Sequence, residues 1–183
     1  MPEDMKGTIA MNFLEMAKKK EIDKITVKEL AENCNISRQC FYYHFKDIYE
    51  VMEWTVGRAV KITVDYSLTA ETQEEAMRML LFMAVDNREV FTKMLESQRR
   101  DLIEKIMVNG MRKYLKEIMR HKGFEEAKFK ECETEIDFCV FGIMGFILRS
   151  AVQKKVDLDK LSVTLTRIFN KQLSDVLERH SEN

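Results

Sequence analysis

The sequence has few residues that break regular structure. Its 183 residues include one proline, Pro2, and six glycines. An all-β sandwich needs a turn signal every ~8–12 residues, so this scarcity argues against that fold class. With 45% hydrophobic and 33% charged residues, the chain has the composition of a globular protein rather than of a disordered one.

The sequence also lacks a segment long enough to cross a membrane. Its longest uncharged and mostly apolar run covers 138–148, eleven residues between Asp137 and Arg149. A membrane-spanning helix needs ~20 residues, so we interpret this run as a buried helix. Residues 1–20 contain no apolar stretch of the kind found in secretory signals. We therefore expect a cytoplasmic protein with no membrane partner and with free thiols at its four cysteines.

Motifs for catalysis and for cofactor binding are missing as well. The sequence contains no G-x-G-x-x-G, G-x-x-x-x-G-K-[ST], H-E-x-x-H, G-x-S-x-G or C-x-x-C. None of its three histidines follows a glutamate at the spacing of a di-iron site. We expect neither an enzyme nor a resident metal or cofactor. Thirty basic and thirty-one acidic residues give a net charge that selects no partner.

What the sequence does contain is helical periodicity in almost every segment. Apolar residues recur at spacings of three and four, which is the pattern of an amphipathic helix. Thr26 and Glu29 form a capping box at the start of one such helix. The longest stretches are 98–121, about 125–154 and about 158–179, and each is predicted as one helix. The pattern predicts an all-α protein of eight to nine helices.

Residues 26–45 have the spacing of a helix-turn-helix motif. Ala31 occupies the small position that lets two short helices cross closely. Four residues later, Asn35 lies at a tight turn that requires a positive φ, which Asn tolerates better than other residues with a side chain. Ser37 then caps the second helix. The free face of that helix carries Arg38, Gln39, Tyr42 and Tyr43.

The stretch from Thr26 to Asp47, TVKELA followed by ISRQCFYYHFKD, resembles the DNA-binding signature of the TetR/AcrR family of transcriptional regulators. In pattern it is closest to the branch that contains dihydroxyacetone-kinase regulators. The resemblance covers about 40 of the 183 residues, and its most specific part is Tyr42, His44 and Phe45. It implies a one-component regulator, most simply a repressor, that binds a palindromic operator in double-stranded DNA as a homodimer and responds to a small-molecule effector.

The resemblance also implies a domain division and roles for individual residues. Residues 1–47 would form a three-helix DNA-binding domain, and residues 48–183 a helical domain for effector binding and dimerisation. Arg38, Gln39 and Tyr43 would face base edges, since Arg can pair with guanine and Gln with adenine. Cys40 would offer a small apolar contact to a thymine methyl group. The phosphate contacts would come from Thr26, Lys28, Ser37, Tyr42, His44 and Lys46.

Two features of this region leave an alternative open. The family places a phosphate-contacting lysine where this chain has Ile48, although Lys46 could take that role. Residues 1–50 contain eight basic and nine acidic residues, and only 33–46 carry a net charge of +2. We therefore expect weak non-specific DNA affinity and a shallow salt dependence. The alternative is a family relative that has lost specific DNA binding and acts as a protein-interaction co-regulator.

The remaining helices are predicted to hold the effector and the dimer interface. Large, soft side chains suit an adaptable apolar cavity, and ordinary core packing is the alternative for each of them. These residues are Met77, Phe91, Met94, Met107, Met111, Tyr114, Phe138, Phe141 and Met144. The last two helices are predicted to pair with their mates in a second subunit, and intrachain packing is again the alternative. The interface residues are Gly142, Gly145, Leu161, Leu165, Ile168, Phe169 and Leu173.

Overall fold

The computed structural model describes the backbone of residues 4–179 and the side chains of residues 4–172 except Ala127. Over this range it contains nine α-helices, two short 3-10 helices and no strand, which confirms the predicted all-α class. The α-helices are α1 (Met5–Lys19), α2 (Val27–Asn33), α3 (Arg38–His44), α4 (Ile48–Thr69), α5 (Gln73–Asp86), α6 (Arg88–Glu96), α7 (Arg100–His121), α8 (Glu133–Val152) and α9 (Leu158–Arg179).

The helix predicted over 125–154 is shorter than expected. Its first part forms a 3-10 turn, Glu126–Phe129, and α8 begins only at Glu133. Phe124 and Phe129 are both buried, and their rings pack 5.1 Å apart. Glu125, Glu126 and Glu131 therefore belong to the connection before α8, whereas Glu133 and Glu135 lie in the first turn of α8. The helix predicted over 158–179 is confirmed.

The chain divides into two compact units. The N-terminal unit comprises the described residues up to Ala59 together with Asn87–Met107. The C-terminal unit comprises Val60–Asp86 and the described residues from Val108 onward. The N-terminal unit therefore contains the whole described part of the segment predicted to bind DNA, and adds to it the first half of α4, all of α6 and the start of α7.

The N-terminal unit is built around an apolar core to which six α-helices contribute, namely α1, α2, α3, α4, α6 and α7. Phe13 of α1, Leu30 of α2 and Phe41 of α3 have no exposed surface, and Ala31 at the predicted close crossing is 1% exposed. Val90 of α6 and Val51 of α4 are buried against the same cluster. The inner faces of α2 and α3 are thereby fixed, although each helix has only seven residues.

A polar clasp attaches the start of α7 to this core. The Asp23 carboxylate accepts hydrogen bonds from the Ser97 hydroxyl at 2.7 Å and from the Gln98 backbone N–H at 2.8 Å. The Lys93 ammonium of α6 donates to the Lys18 carbonyl oxygen at the end of α1. Since Ser97 and Gln98 lie between α6 and α7, these bonds fix the connection that leads into α7.

In the C-terminal unit, α5 packs on α8 and α9, and α8 packs on α9. Leu81, Val140 and Leu165 belong to its buried core. An ion pair joins α7 to α8, with the Arg112 guanidinium 2.5 Å from the Asp137 carboxylate. No helix in the described part of the chain is long and apolar enough to span a membrane. All four cysteines are free thiols, as predicted.

Candidate nucleic-acid interface and effector cavity

The turn between α2 and α3 has the geometry that its sequence predicts. Asn35 has φ 54°, and it is the one residue other than glycine with a positive φ in the described part of the chain. The N–H groups of Asn35 and Ile36 donate to the carbonyl oxygens of Glu32 and Ala31, each at 3.0 Å. These bonds end α2 and turn the chain sharply, which sets the crossing of the two short helices.

Capping side chains fix both helices at their starts. The Thr26 hydroxyl accepts the Glu29 N–H at 3.2 Å, and the Glu29 carboxylate accepts the Thr26 N–H at 3.3 Å, so the predicted capping box is confirmed. The Ser37 hydroxyl accepts the Cys40 N–H at 3.0 Å and caps α3 as predicted. Each such cap stabilises a helix by about 1 kcal/mol.

The two faces of α3 differ sharply in their exposure. Phe41 is fully buried, and its ring lies 6.1 Å from that of Phe45, which is also buried. On the opposite face Tyr43 is 86% exposed and Tyr42 is 57% exposed. Arg38 and Gln39, which are predicted with Tyr43 to face base edges, are exposed as well. Cys40, the predicted thymine contact, is half-buried. The helix therefore presents donors, acceptors and two phenol rings outward on a fixed base.

The residues predicted to contact phosphate differ in their exposure and in whether their polar groups are already hydrogen-bonded within the protein. Lys28 and Lys46 are exposed, and His44 is half-buried with its ring 5.0 Å from that of Tyr43. The Thr26 hydroxyl already donates to the Glu29 carboxylate at 3.0 Å. That carboxylate also pairs with Lys20 at 2.7 Å, and this pairing, followed by the bond from Thr26, holds the pKa of Glu29 below its usual value. Thr26 and Lys20 are thus engaged with a carboxylate.

The structure at the start of α4 accounts for the apolar Ile48 at a position where the family has a phosphate-contacting lysine. Ile48 is 8% exposed and belongs to the core of the N-terminal unit, so the side chain at this position faces inward. Asp47 accepts the Glu50 N–H at 2.8 Å, and Glu50 accepts the Lys46 backbone N–H at 2.5 Å. These bonds leave the exposed Lys46 ammonium as the basic group beside this helix start.

A cavity of about 130 Å³ lies within the C-terminal unit. The second half of α4 lines it together with α5, α7, α8 and α9. Apolar side chains form most of its wall, and the Ser67 and Tyr114 hydroxyls share a hydrogen bond of 3.0 Å there. Burial raises the pKa of Tyr114 above its usual value. The lining residues are Ser67, Leu68, Gln73, Ala76, Met77, Tyr114, Leu115, Ile118, His121, Lys122, Ile143, Thr166 and Phe169.

Of the nine residues predicted to bind an effector, the structure brings two to this cavity, Met77 and Tyr114. Three others, Phe91, Met94 and Met107, lie in the N-terminal unit. The remaining four lie in the C-terminal unit but outside the cavity lining: Met111 and Met144 are buried core, while Phe138 and Phe141 are exposed.

Sequence reasoning missed the polar lining, including Gln73, Thr166, His121 and Lys122. The sequence offered one signal for this lining, because the polar Thr166 interrupts the apolar face of α9. The structure shows that Thr166 is buried, with 2% of its surface exposed.

Residues predicted for the dimer interface separate into outer and inner groups. On α8, Gly142 and Gly145 are exposed, and a Cβ added at either would meet open space. They lie among the exposed rings of Phe138, Phe141 and Phe146; we call these five residues the α8 stripe. On α9, Ile168 is exposed, Leu161 is half-buried, Leu165 is buried, Phe169 lines the cavity, and the side chain of Leu173 lies outside the described residues.

No family model matches the chain, and no curated protein matches it in sequence. Solved structures match it over nearly its whole length. The dihydroxyacetone kinase operon activator DhaS has a TM-score of 0.64 at 16% identity and covers 94% of this chain and 96% of its own. A TetR-family regulator from Streptomyces coelicolor has a TM-score of 0.66 at 13% identity, with coverage of 100% and 86%. A TetR/AcrR-family regulator from Aquifex aeolicus VF5 has a TM-score of 0.54 at 20% identity, with coverage of 91% and 98%.

All three of these neighbours are described as regulators or operon activators. At such identities the similarity shows the fold, so this chain has the fold of TetR/AcrR-family transcriptional regulators. The resemblance predicted from residues 26–47 is thereby confirmed at the level of the fold, which the dihydroxyacetone kinase operon activator shares.

Proposed function

We propose that this chain is a one-component, TetR-type transcriptional regulator that binds a palindromic operator as a dimer and is modulated by a small molecule. The observation that carries the proposal is the outer face of α3. Arg38, Gln39 and Tyr43 are exposed there, on a helix whose inner face is fixed by the fully buried Phe41. A fixed helix with free polar side chains is what insertion into a major groove requires.

The proposed division of labour follows the chemistry of the side chains. Arg38 pairs with guanine and Gln39 with adenine through two hydrogen bonds each, while Tyr43 contacts a neighbouring base. The phosphate contacts come from Lys28, Ser37, Tyr42, His44 and Lys46. Thr26 contributes by capping α2, because its hydroxyl is engaged with Glu29. Few cations are involved, so affinity depends more on base contacts than on the phosphate backbone.

The α8 stripe supports a homodimer. Exposed apolar patches of this kind mark interaction surfaces, and glycines that open onto free space allow two helices to approach closely. One helix-turn-helix reads one half-site, so a two-fold dimer places two copies of α3 about one helical turn, ~34 Å, apart on DNA. We propose that α8 and α9 of the two subunits form this interface.

The cavity supports regulation by an effector. A ligand shifts a conformational equilibrium only by its difference in affinity for the two states. Helix α7 begins at the Asp23 clasp, and its last turns line the cavity. A ligand that displaces α7 would therefore change the restraint on the N-terminal unit. Of the two outcomes of operator binding we propose repression, because occupancy of the operator is sufficient for it.

Selection from a pool of random duplexes by gel shift tests the proposal. We expect enrichment of a palindrome whose half-site centres lie about one helical turn apart. The second candidate is a protein-interaction co-regulator without specific DNA binding. The inward position of Ile48 and the nearly neutral charge of residues 1–50 favour it, and it predicts that no sequence is enriched.

A further inference from the structure

The cavity of the C-terminal unit has an uneven distribution of charge. Among the described residues, its lining contains two basic residues, His121 and Lys122, and no aspartate or glutamate. No carboxylate among the described side chains pairs with either of them. The Lys122 side chain keeps contact with solvent, yet the surrounding protein lowers its pKa through burial. A cation in this situation has lost part of its hydration without gaining a counter-charge.

The cavity also has a hydrogen-bond donor left over. The Tyr114 and Ser67 hydroxyls form one hydrogen bond with each other, 3.0 Å long. Two hydroxyl groups carry two hydrogens, so one O–H remains to donate to a ligand. The Gln73 side-chain amide is a further donor in the lining. The described lining therefore supplies donors and positive charge, and it offers a cationic ligand no carboxylate.

The size of the cavity limits what can enter it. Its volume is about 130 Å³. An engineered apolar cavity of roughly 150 Å³ holds one benzene molecule. The body of the occupant is thus about the size of one six-membered ring, or of a short alkyl chain. Because His121 and Lys122 are exposed, they mark the open end of the cavity, where a polar group of the ligand can lie.

From these observations we propose that the cavity binds a compact monocarboxylate, with its apolar body of about six carbons between Met77, Leu115 and Phe169 and its carboxylate beside Lys122. This inference rests on the proposed function in one respect, namely that the ligand is the effector. The carboxylate would pair with the Lys122 ammonium, and charge-assisted bonds of this kind are stronger than neutral ones.

Calorimetric titration of the full chain without DNA tests the proposal. Sodium benzoate is the probe, and benzyl alcohol and benzylamine are its neutral and cationic counterparts of nearly the same size. We expect benzoate to bind at least tenfold more tightly than benzyl alcohol, and benzylamine to give no signal. Lys122→Met should lower the affinity for benzoate about tenfold and leave the affinity for benzyl alcohol unchanged, since it removes a charge and keeps an apolar stem.

Two further variants separate a specific site from general attraction of anions. Lys113→Met removes an exposed lysine of α7 that does not line the cavity, and benzoate affinity should stay at the wild-type value. Ala76→Phe fills the cavity and should abolish binding of both benzoate and benzyl alcohol, with folding verified by thermal melting. Equal affinity for benzoate and benzyl alcohol, no binding of benzoate, or an equal loss in Lys113→Met and Lys122→Met would overturn the proposal.

The selection from random duplexes tests the regulator function independently of the benzoate titration. If benzoate binds as expected but random duplexes yield no palindrome, the regulator function fails while the ligand site stands. If a palindrome is enriched but benzoate does not bind, the ligand class fails while the regulator function stands.

Discussion

Helices α3 and α8 both turn aromatic side chains outward, but they do so with different chemistry. On α3 the exposed rings are Tyr42 and Tyr43, which carry hydroxyl groups and stand beside Arg38 and Gln39. On α8 they are the phenylalanines of the α8 stripe, interrupted by two glycines. Surfaces that meet DNA are polar, positively charged and wet, whereas the centre of a homodimer interface is apolar. The contrast supports the proposal that α3 contacts DNA and α8 contacts a second subunit.

The two helices also differ in what holds them. α8 has twenty residues and a long buried face, whereas α3 has seven and depends on one buried phenylalanine and the Ser37 cap. Isolated helices as short as α3 are not stable in water. The position of α3 is therefore set by the rest of the N-terminal unit, including the helices that follow, in sequence, the segment proposed to bind DNA.

The largest effect is expected from a charge placed in the α8 stripe, which tests whether this surface is the dimer interface. We expect Phe141→Asp to leave the chain monomeric, because a carboxylate in an apolar interface loses its hydration. Affinity for a palindromic duplex should then fall on the order of 100-fold or more, since linked half-site binding is lost. Sedimentation velocity and operator titration measure the two effects. Phe82→Asp replaces another exposed phenylalanine and should remain dimeric; dissociation in both variants would contradict the assignment.

The next largest effect tests α3. Arg38→Ala should cost about 1–3 kcal/mol, roughly 5- to 150-fold, against the preferred base pair in each half-site. It should also relax the preference there, because the lost contact is to a base edge. Competition titrations with duplexes that differ at single positions measure this. An equal loss on every duplex would place Arg38 at the phosphate backbone instead.

A smaller, uniform effect is expected at Lys46. Lys46→Ala should weaken binding to all duplexes several-fold and lower the slope of log affinity against log salt by about one per subunit. Titrations at several salt concentrations give this slope. Lys61, an exposed lysine of the C-terminal unit, provides the matched control, and Lys61→Ala should change neither quantity. A change in base preference with Lys46→Ala would argue against a phosphate contact.

The smallest effect is expected at Ser37, where two substitutions distinguish its role in capping α3 from its proposed contact with phosphate. Ser37→Ala removes the cap of α3 and should lower the free energy of unfolding by about 1 kcal/mol. Ser37→Asp retains a capping acceptor but brings a negative charge to the proposed phosphate contact. We expect it to keep wild-type stability in denaturant titrations and to lose affinity for DNA. If Ser37→Asp binds DNA as tightly as the wild type, Ser37 only caps the helix.

Local features of the fold were predictable from the sequence. The Thr26 and Glu29 capping box, the Ser37 cap and the positive φ at Asn35 each depend on the chemistry of a few neighbouring residues. Helical periodicity identified the buried faces of the long helices. It failed at 125–132, where the packing of Phe124 against Phe129 overrides a sequence that otherwise reads as helical.

The cavity could not be predicted in the same way. Periodicity indicates which face of a helix is buried, but not which helix covers it. Met94 and Met77 have the same chemistry and both are buried, yet Met94 belongs to the core of the N-terminal unit and Met77 lines the cavity of the other. The same limit applies to Phe169, which was predicted for the dimer interface and which lines the cavity.

The proposed function requires that the outer face of α3 contacts bases in DNA. The most direct test replaces Tyr43, which is 86% exposed, by the photoreactive analogue benzoylphenylalanine in the full chain. Irradiation with the duplex enriched from the random pool should cross-link position 43 to a base within each half-site. The same replacement at Phe82 should give no cross-link to that duplex. Absence of a cross-link from position 43 to the enriched duplex, or equal yields from the two positions, would contradict the claim.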